Sequence, residues 1–138
     1  MKKVLLLLAT VISLASCSLG SDDGIKFHTE LLPIESTILP SEFERDSIYE
    51  LPFTYFRPST CHVFEGFYYA KDANVRTIAI HTSVLEQGGC TTPTVNPITE
   101  ILQFTPSESY NSYVFRLWKG KNESGVDVYE EVEIPVVP

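Results

Sequence analysis

The chain has little of what most enzymes and nucleic-acid-binding proteins rely on. It holds three histidines, three cysteines and 10 lysines and arginines against 18 aspartates and glutamates, a formal charge of −8. That acidic balance argues against nucleic acid and against charge-driven binding to anionic lipid, while saying little about neutral partners such as glycans. No G-x-S-x-G elbow accompanies any serine, and no glycine-rich loop is spaced to cradle phosphate. Neither Asp22-Asp23 nor Asn122-Glu123-Ser124 has the ligand spacing of a calcium loop. No paired C-x-x-C or H-x-x-H marks a zinc site. The expectation is a protein without cofactor or resident metal that is not an enzyme.

Long apolar runs are equally scarce, and the single example is short. Met1-Lys2-Lys3 leads into Val4–Ala15, too few residues to cross a hydrocarbon core, which needs about 20. Two lysines before such a run match the charged and apolar regions of a secretory signal. Its end, Leu14-Ala15-Ser16-Cys17, resembles the lipobox of bacterial lipoproteins. The resemblance implies cleavage before Cys17, diacylation of its thiol and acylation of the new amino group. Two or three acyl chains exceed the two-signal threshold for stable anchoring. Residues 1–16 are then signal peptide and 17–27 a lipidated, flexible, acidic tether. Residues 28–138 form the folded domain. Loss of Lys2 and Lys3 takes the balance from 10 basic and 18 acidic residues (−8) to 8 and 18 (−10). Ser18, directly after the cysteine, leans toward the outer membrane by similarity to enteric lipoproteins. Ser21-Asp22-Asp23 resembles the acidic export signal that carries Bacteroidetes lipoproteins to the cell surface.

With Cys17 assigned to lipid, Cys61 and Cys90 remain, in a compartment where disulfides persist. A bridge between them is the expectation. The competing metal site from Cys61, His62 and Cys90 would need adjacent ligands that rarely fit one tetrahedron. From His28 onward no helix-length periodicity occurs. Short runs rich in aromatic and β-branched residues predict seven strands: His28–Leu39 (broken at Pro33), Ser47–Tyr55, His62–Ala70, Val75–Val84, Ile98–Thr105, Tyr110–Lys119 and Val126–Val137. Val126, Val128, Val132, Ile134 and Val136 share the parity expected of a buried face, opposite Asp127, Tyr129, Glu131 and Glu133; Glu130 breaks the pattern. Tyr113, Phe115 and Leu117 are expected to point inward. The fold class implied is all-β, an antiparallel immunoglobulin-like β-sandwich of about seven strands. In it the bridge would pin the loop Leu85–Pro97 to the start of the strand at His62.

Arg57-Pro58-Ser59-Thr60-Cys61-His62, Asn74-Val75-Arg76-Thr77-Ile78-Ala79 and the stretch Tyr113–Lys121 together resemble small cell-envelope lipoproteins of flavobacteria and other Bacteroidetes. The resemblance spans most of the mature chain and implies an address, not a mechanism. For function, the aromatic residues are the candidates. Trp118, Tyr129 and one of the neighbours Tyr68 and Tyr69 would place rings on an outer face, where they stack on sugars or anchor a protein. The leading expectation is a lipid-anchored outer-membrane protein whose module binds a glycan or an envelope protein, or serves structural assembly. The alternative is a small envelope hydrolase or metal-binding protein using His62 and His81. His81 falls on the strand face opposite Ile78 and Ile80, where a solvated or structural histidine is the commoner case.

Replacing Cys17 with Ala is expected to release the protein from the membrane fraction or to leave its signal uncleaved. Fractionation and intact-mass measurement decide this; a Cys17→Ala protein that matures normally and stays membrane-bound contradicts the lipoprotein reading.

Overall fold

The computed structural model describes residues 24–138, so the lipidation expected at Cys17 lies outside the described residues. These residues are all β, with no helix among them, and form two packed sheets. The strands are β1 (Phe27–Leu32), β2 (Ser36–Thr37), β3 (Phe43–Glu44), β4 (Tyr49–Tyr55), β5 (His62–Asp72), β6 (Val75–Leu85), β7 (Ile98–Phe104), β8 (Ser112–Lys121) and β9 (Asp127–Val137). Each of the seven strands expected from sequence has its counterpart. The first stops at Leu32, because Pro33 has no N–H to extend the ladder; beyond it only the two-residue β2 forms. Strand β3 was not foreseen.

The larger sheet runs β5–β6–β8–β9–β3, with β1 also bonded to β6, and the smaller runs β2–β4–β7. Strand β6 pairs from Val75 to Val84 with β5 on one edge. Its other edge is divided: β1 covers Ile80–Leu85 antiparallel, and β8 covers Val75–Ile78 in parallel. Strands β3 and β9 are also parallel. The wholly antiparallel arrangement expected from sequence is therefore corrected. The chain leaves β6, builds β7 in the other sheet and returns as β8, the kind of long crossover that parallel neighbours require. Near Pro33 the chain changes sheets within two residues: the Ile34 N–H donates to Trp118 O at 2.9 Å and the Glu35 N–H to Thr54 O at 2.8 Å.

The core lies between the sheets. Leu32, Ile78, Ile80, Tyr113, Phe115, Leu117 and Ile134 from the larger face meet Leu51, Phe53, Tyr55 and Phe104 from the smaller. Phe43 of β3 is fully buried, with ring centroids 4.8 Å from Tyr49, 5.0 Å from Phe104 and 5.8 Å from Phe115. Burying each such ring contributes about 1.5–3 kcal/mol, and this is what gives the two-residue β3 its place. The inward parity of Tyr113, Phe115 and Leu117 is as expected. That of β9 holds only from Val132 onward. Val126 and Val128 are 59% and 41% exposed, because the β8–β9 hairpin runs on past the core.

Within β5 the register shifts between Phe64 and Gly66, and Gly66 sits at φ 141°. The extra residue of this bulge reverses the side-chain alternation. His62 and Phe64 face inward before it, and Phe67 and Tyr69 after it. Tyr68 is thereby turned outward and is 47% exposed.

Cys61 and Cys90 are bridged, with Cα atoms 5.5 Å apart. That bond removes both sulfurs from the metal alternative. The loop after β6 returns to the start of β5 as expected: the Leu85 N–H donates to Cys61 O at 3.0 Å, the Thr60 N–H to Thr91 O at 2.9 Å and the Thr91 N–H to Thr60 Oγ1 at 3.0 Å. Reducing the bridge is expected to lower stability by about 2–5 kcal/mol in urea titrations while leaving the β-sheet circular dichroism in place. An unchanged midpoint after complete reduction contradicts the staple.

Candidate functional site: a groove on the outer face of the larger sheet

Ala79 occupies the seam in β6 between Ile78, the last residue paired with β8, and Ile80, the first paired with β1. Its parity is outward, its side chain is a single methyl, and a hollow opens above it. Thr29 and Leu31 of β1, Tyr68 of β5, Thr77 of β6, Trp118 of β8 and Tyr129 of β9 line the sides. The groove encloses about 500 Å³ and its lining is mainly apolar, within the size range of small-ligand sites.

Three of the four aromatic candidates come together here. Trp118 and Tyr129 are cross-strand neighbours in the β8–β9 ladder. The Trp118 Nε1–H donates to Asp127 Oδ1 at 3.0 Å, and Lys121 Nζ lies 3.6 Å from the same oxygen. The Arg116 guanidinium covers the Tyr129 ring at 4.0 Å and reaches Glu131 at 3.4 Å. Each ring is thus oriented by a charged neighbour, and the groove's rim carries the Asp127–Lys121 pair. Tyr68 faces them from the far side of Ala79, with which it is paired. Tyr69 does not join; it packs against the core. Burial pushes its phenol pKa up, with the Arg76 charge acting in the opposite direction. The chemistry on offer is aromatic faces beside hydrogen-bonding groups, which suits a ligand with an apolar face and a polar rim. Leu31, Ala79 and Asp127 were not anticipated, since β1 and β8 sharing one edge of β6 leaves no mark in local sequence.

The histidines do not converge. His28 Nδ1 lies 3.1 Å from Glu86 Oε1 on the surface, where such a pair contributes little. His81 points to the outer face beside Tyr68, while His62 lies on the inner side of the neighbouring strand. No joint role of His62 and His81 fits this arrangement. His62 instead has two partners that sequence reasoning missed: Ser59 Oγ at 2.8 Å from Nδ1 and Glu30 Oε2 at 3.0 Å from Nε2. In the neutral imidazole a carboxylate can only accept, so Nε2 carries the proton and Nδ1 accepts from the serine hydroxyl. Hydroxyl, imidazole and carboxylate in series is the order used for nucleophilic catalysis. Here, however, Ser59 Oγ also accepts the Cys61 N–H at 3.2 Å, and Ser59 and His62 sit three residues apart in one turn. The hydroxyl ties that turn together beside the disulfide.

No protein-family model, curated protein or solved structure matches this chain.

Ser59→Ala leaves the Cys61 N–H and a mostly buried imidazole nitrogen without a partner. Its expected cost is about 1–3 kcal/mol in urea unfolding with the denaturant slope unchanged. A change too small to measure contradicts the structural role given to the hydroxyl.

Proposed function

We propose that this protein is an outer-membrane lipoprotein whose β-sandwich, an immunoglobulin-like variant, binds a neutral glycan in the groove of Tyr68, Trp118 and Tyr129. One observation carries the reading: three aromatic side chains from three strands line a single outer-face hollow whose floor is a lone methyl. A pyranose ring presents a face of C–H groups to an aromatic ring and hydroxyls around its edge, which Asp127 and Lys121 are placed to meet. The acidic surface, with 18 carboxylates against 8 basic groups once Lys2 and Lys3 leave with the signal, favours a ligand without negative charge. The Leu14–Cys17 motif and the acidic residues after it support a tethered domain that meets its ligand at the envelope. Seven main strands in two sheets support the immunoglobulin-like description, with the divided edge of β6 as its departure.

A second reading, a small hydrolase, draws on the Ser59–His62–Glu30 series. It requires Ser59 to react with a fluorophosphonate probe and the Ser59→Ala protein not to.

Trp118 is the only tryptophan, so its emission reports on the groove directly. Neutral oligosaccharides from envelope or capsule preparations are expected to shift that emission saturably. Tyr68→Ala is expected to weaken binding about tenfold, or about 1.4 kcal/mol, and to change stability by no more than about 0.5 kcal/mol. Binding that survives Tyr68→Ala and Tyr129→Ala together moves the site elsewhere; capture of a protein through the same residues makes the ligand a protein.

A further inference from the structure

Two positions on the outer face of the larger sheet have almost no side chain, and they lie close together. Ala79 floors the aromatic groove. Two residues further along β6, His81 is paired with Gly66 at the bulge in β5. Gly66 is at φ 141°, a conformation that suits glycine and few other residues, and a Cβ there would meet nothing within 4 Å. The space it leaves open is a second hollow of about 350 Å³, walled by Leu31, Tyr68 and His81. Leu31 and Tyr68 also border the groove. Tyr68 lies two residues past Gly66 and opposite Ala79, so its half-exposed ring stands where the two hollows meet.

The second hollow holds polar groups with no partner of their own. Among the described residues His28 and His62 each reach a carboxylate, while the ring nitrogens of His81 and the hydroxyl of Tyr68 have no hydrogen-bond partner. A neutral imidazole offers one donor and one acceptor, which matches two neighbouring hydroxyls on a sugar ring. Glu30 borders both hollows, with its carboxylate held by His62 at 3.0 Å. That carboxylate disfavours an acidic sugar in either. The spacing calls for more than one ring. Positions 79 and 81 are two residues apart in a strand, about 6.4–6.8 Å at the ordinary rise. This is comparable with the length of one sugar unit in a chain, so a ring seated over Ala79 places its linked neighbour over Gly66.

We propose that the groove and this hollow are adjoining subsites for a chain of at least two neutral sugar units, with His81 selecting the second unit. The proposal rests on the glycan reading and adds to it a chain length and a specificity-determining residue. Protein labelled with ¹³C and ¹⁵N is titrated with glucose, mannose, galactose and N-acetylglucosamine, and with the disaccharides and trisaccharides of each. The Trp118 indole N–H reports on the first subsite and the His81 Cε1–H on the second. At least one disaccharide is expected to move both resonances and to bind about tenfold tighter than its monosaccharide. His81→Ala is expected to weaken disaccharide binding about threefold to tenfold, the span of one or two net hydrogen bonds, and to change monosaccharide binding less than about twofold. His81→Gln keeps a donor and an acceptor and is expected to recover most of that loss. Sugars that move Trp118 but not His81, with no gain from monosaccharide to disaccharide, overturn the proposal and leave the glycan reading standing. A disaccharide affinity indifferent to His81→Ala does the same. Silence of both resonances across the whole panel at tens of millimolar sugar overturns both.

Discussion

Strand β6 has one edge that two strands share, and the rest of the molecule follows from that division. Because β1 stops at Leu32 and β8 begins its pairing at the other end, the ladder beside β6 changes partner at Ala79. On the inner face the change is filled without loss, as Ile78, Ile80, Leu32 and Leu117 close the core there. On the outer face the same change sets a methyl between the side chains of β1, β5 and β8, and a groove results. Chain direction is also settled here. The crossover through β7 lets β8 return parallel to β6, and the N-terminal segment passes from one sheet to the other at Pro33–Glu35.

The loops and bends keep this arrangement in register. The Gly66 bulge decides which of two adjacent tyrosines faces outward, so one residue without a side chain sets the composition of the groove wall. Phe43, brought in by a strand of two residues, closes the far side of the core against four aromatic rings. The Cys61–Cys90 bridge and the Ser59–His62–Glu30 hydrogen bonds act on one short stretch before β5. They hold the end of the sheet where β1 and β5 flank β6. Charge is used sparingly and in place: Arg116, paired with Glu131, covers the Tyr129 ring, and Asp127, paired with Lys121, accepts from Trp118, all on the outer face.

Much of this was legible in the chain. Seven strands could be read from alternating aromatic and β-branched runs, since burial on one face of a sheet imposes a period of two. The inward set Tyr113, Phe115 and Leu117 was readable for the same local reason, while the bridge pinning the Leu85–Pro97 loop followed from the cysteine count with Cys17 set aside. What alternation cannot carry is pairing. Nothing near Ala79 signals that two strands meet there, nor near Ser59 that Glu30 lies opposite His62. The choice between Tyr68 and Tyr69 was within reach: Gly66 inside a strand is the ordinary mark of a bulge, and counting across it gives Tyr68. Val126 and Val128 misled because their parity is right, while the opposing sheet does not extend over them.

Chemical-shift mapping with a neutral oligosaccharide tests the central claim, that the seam in β6 makes a ligand groove, most directly. The Trp118 indole N–H and the amides of Thr29, Leu31, Thr77 and Ala79 are the resonances that should move, with those of the smaller sheet at Thr54, Thr99 and Ile101 unmoved. Shifts confined to the smaller sheet or to the exposed Val126–Val128 hairpin, with Ala79 and Trp118 silent, contradict it.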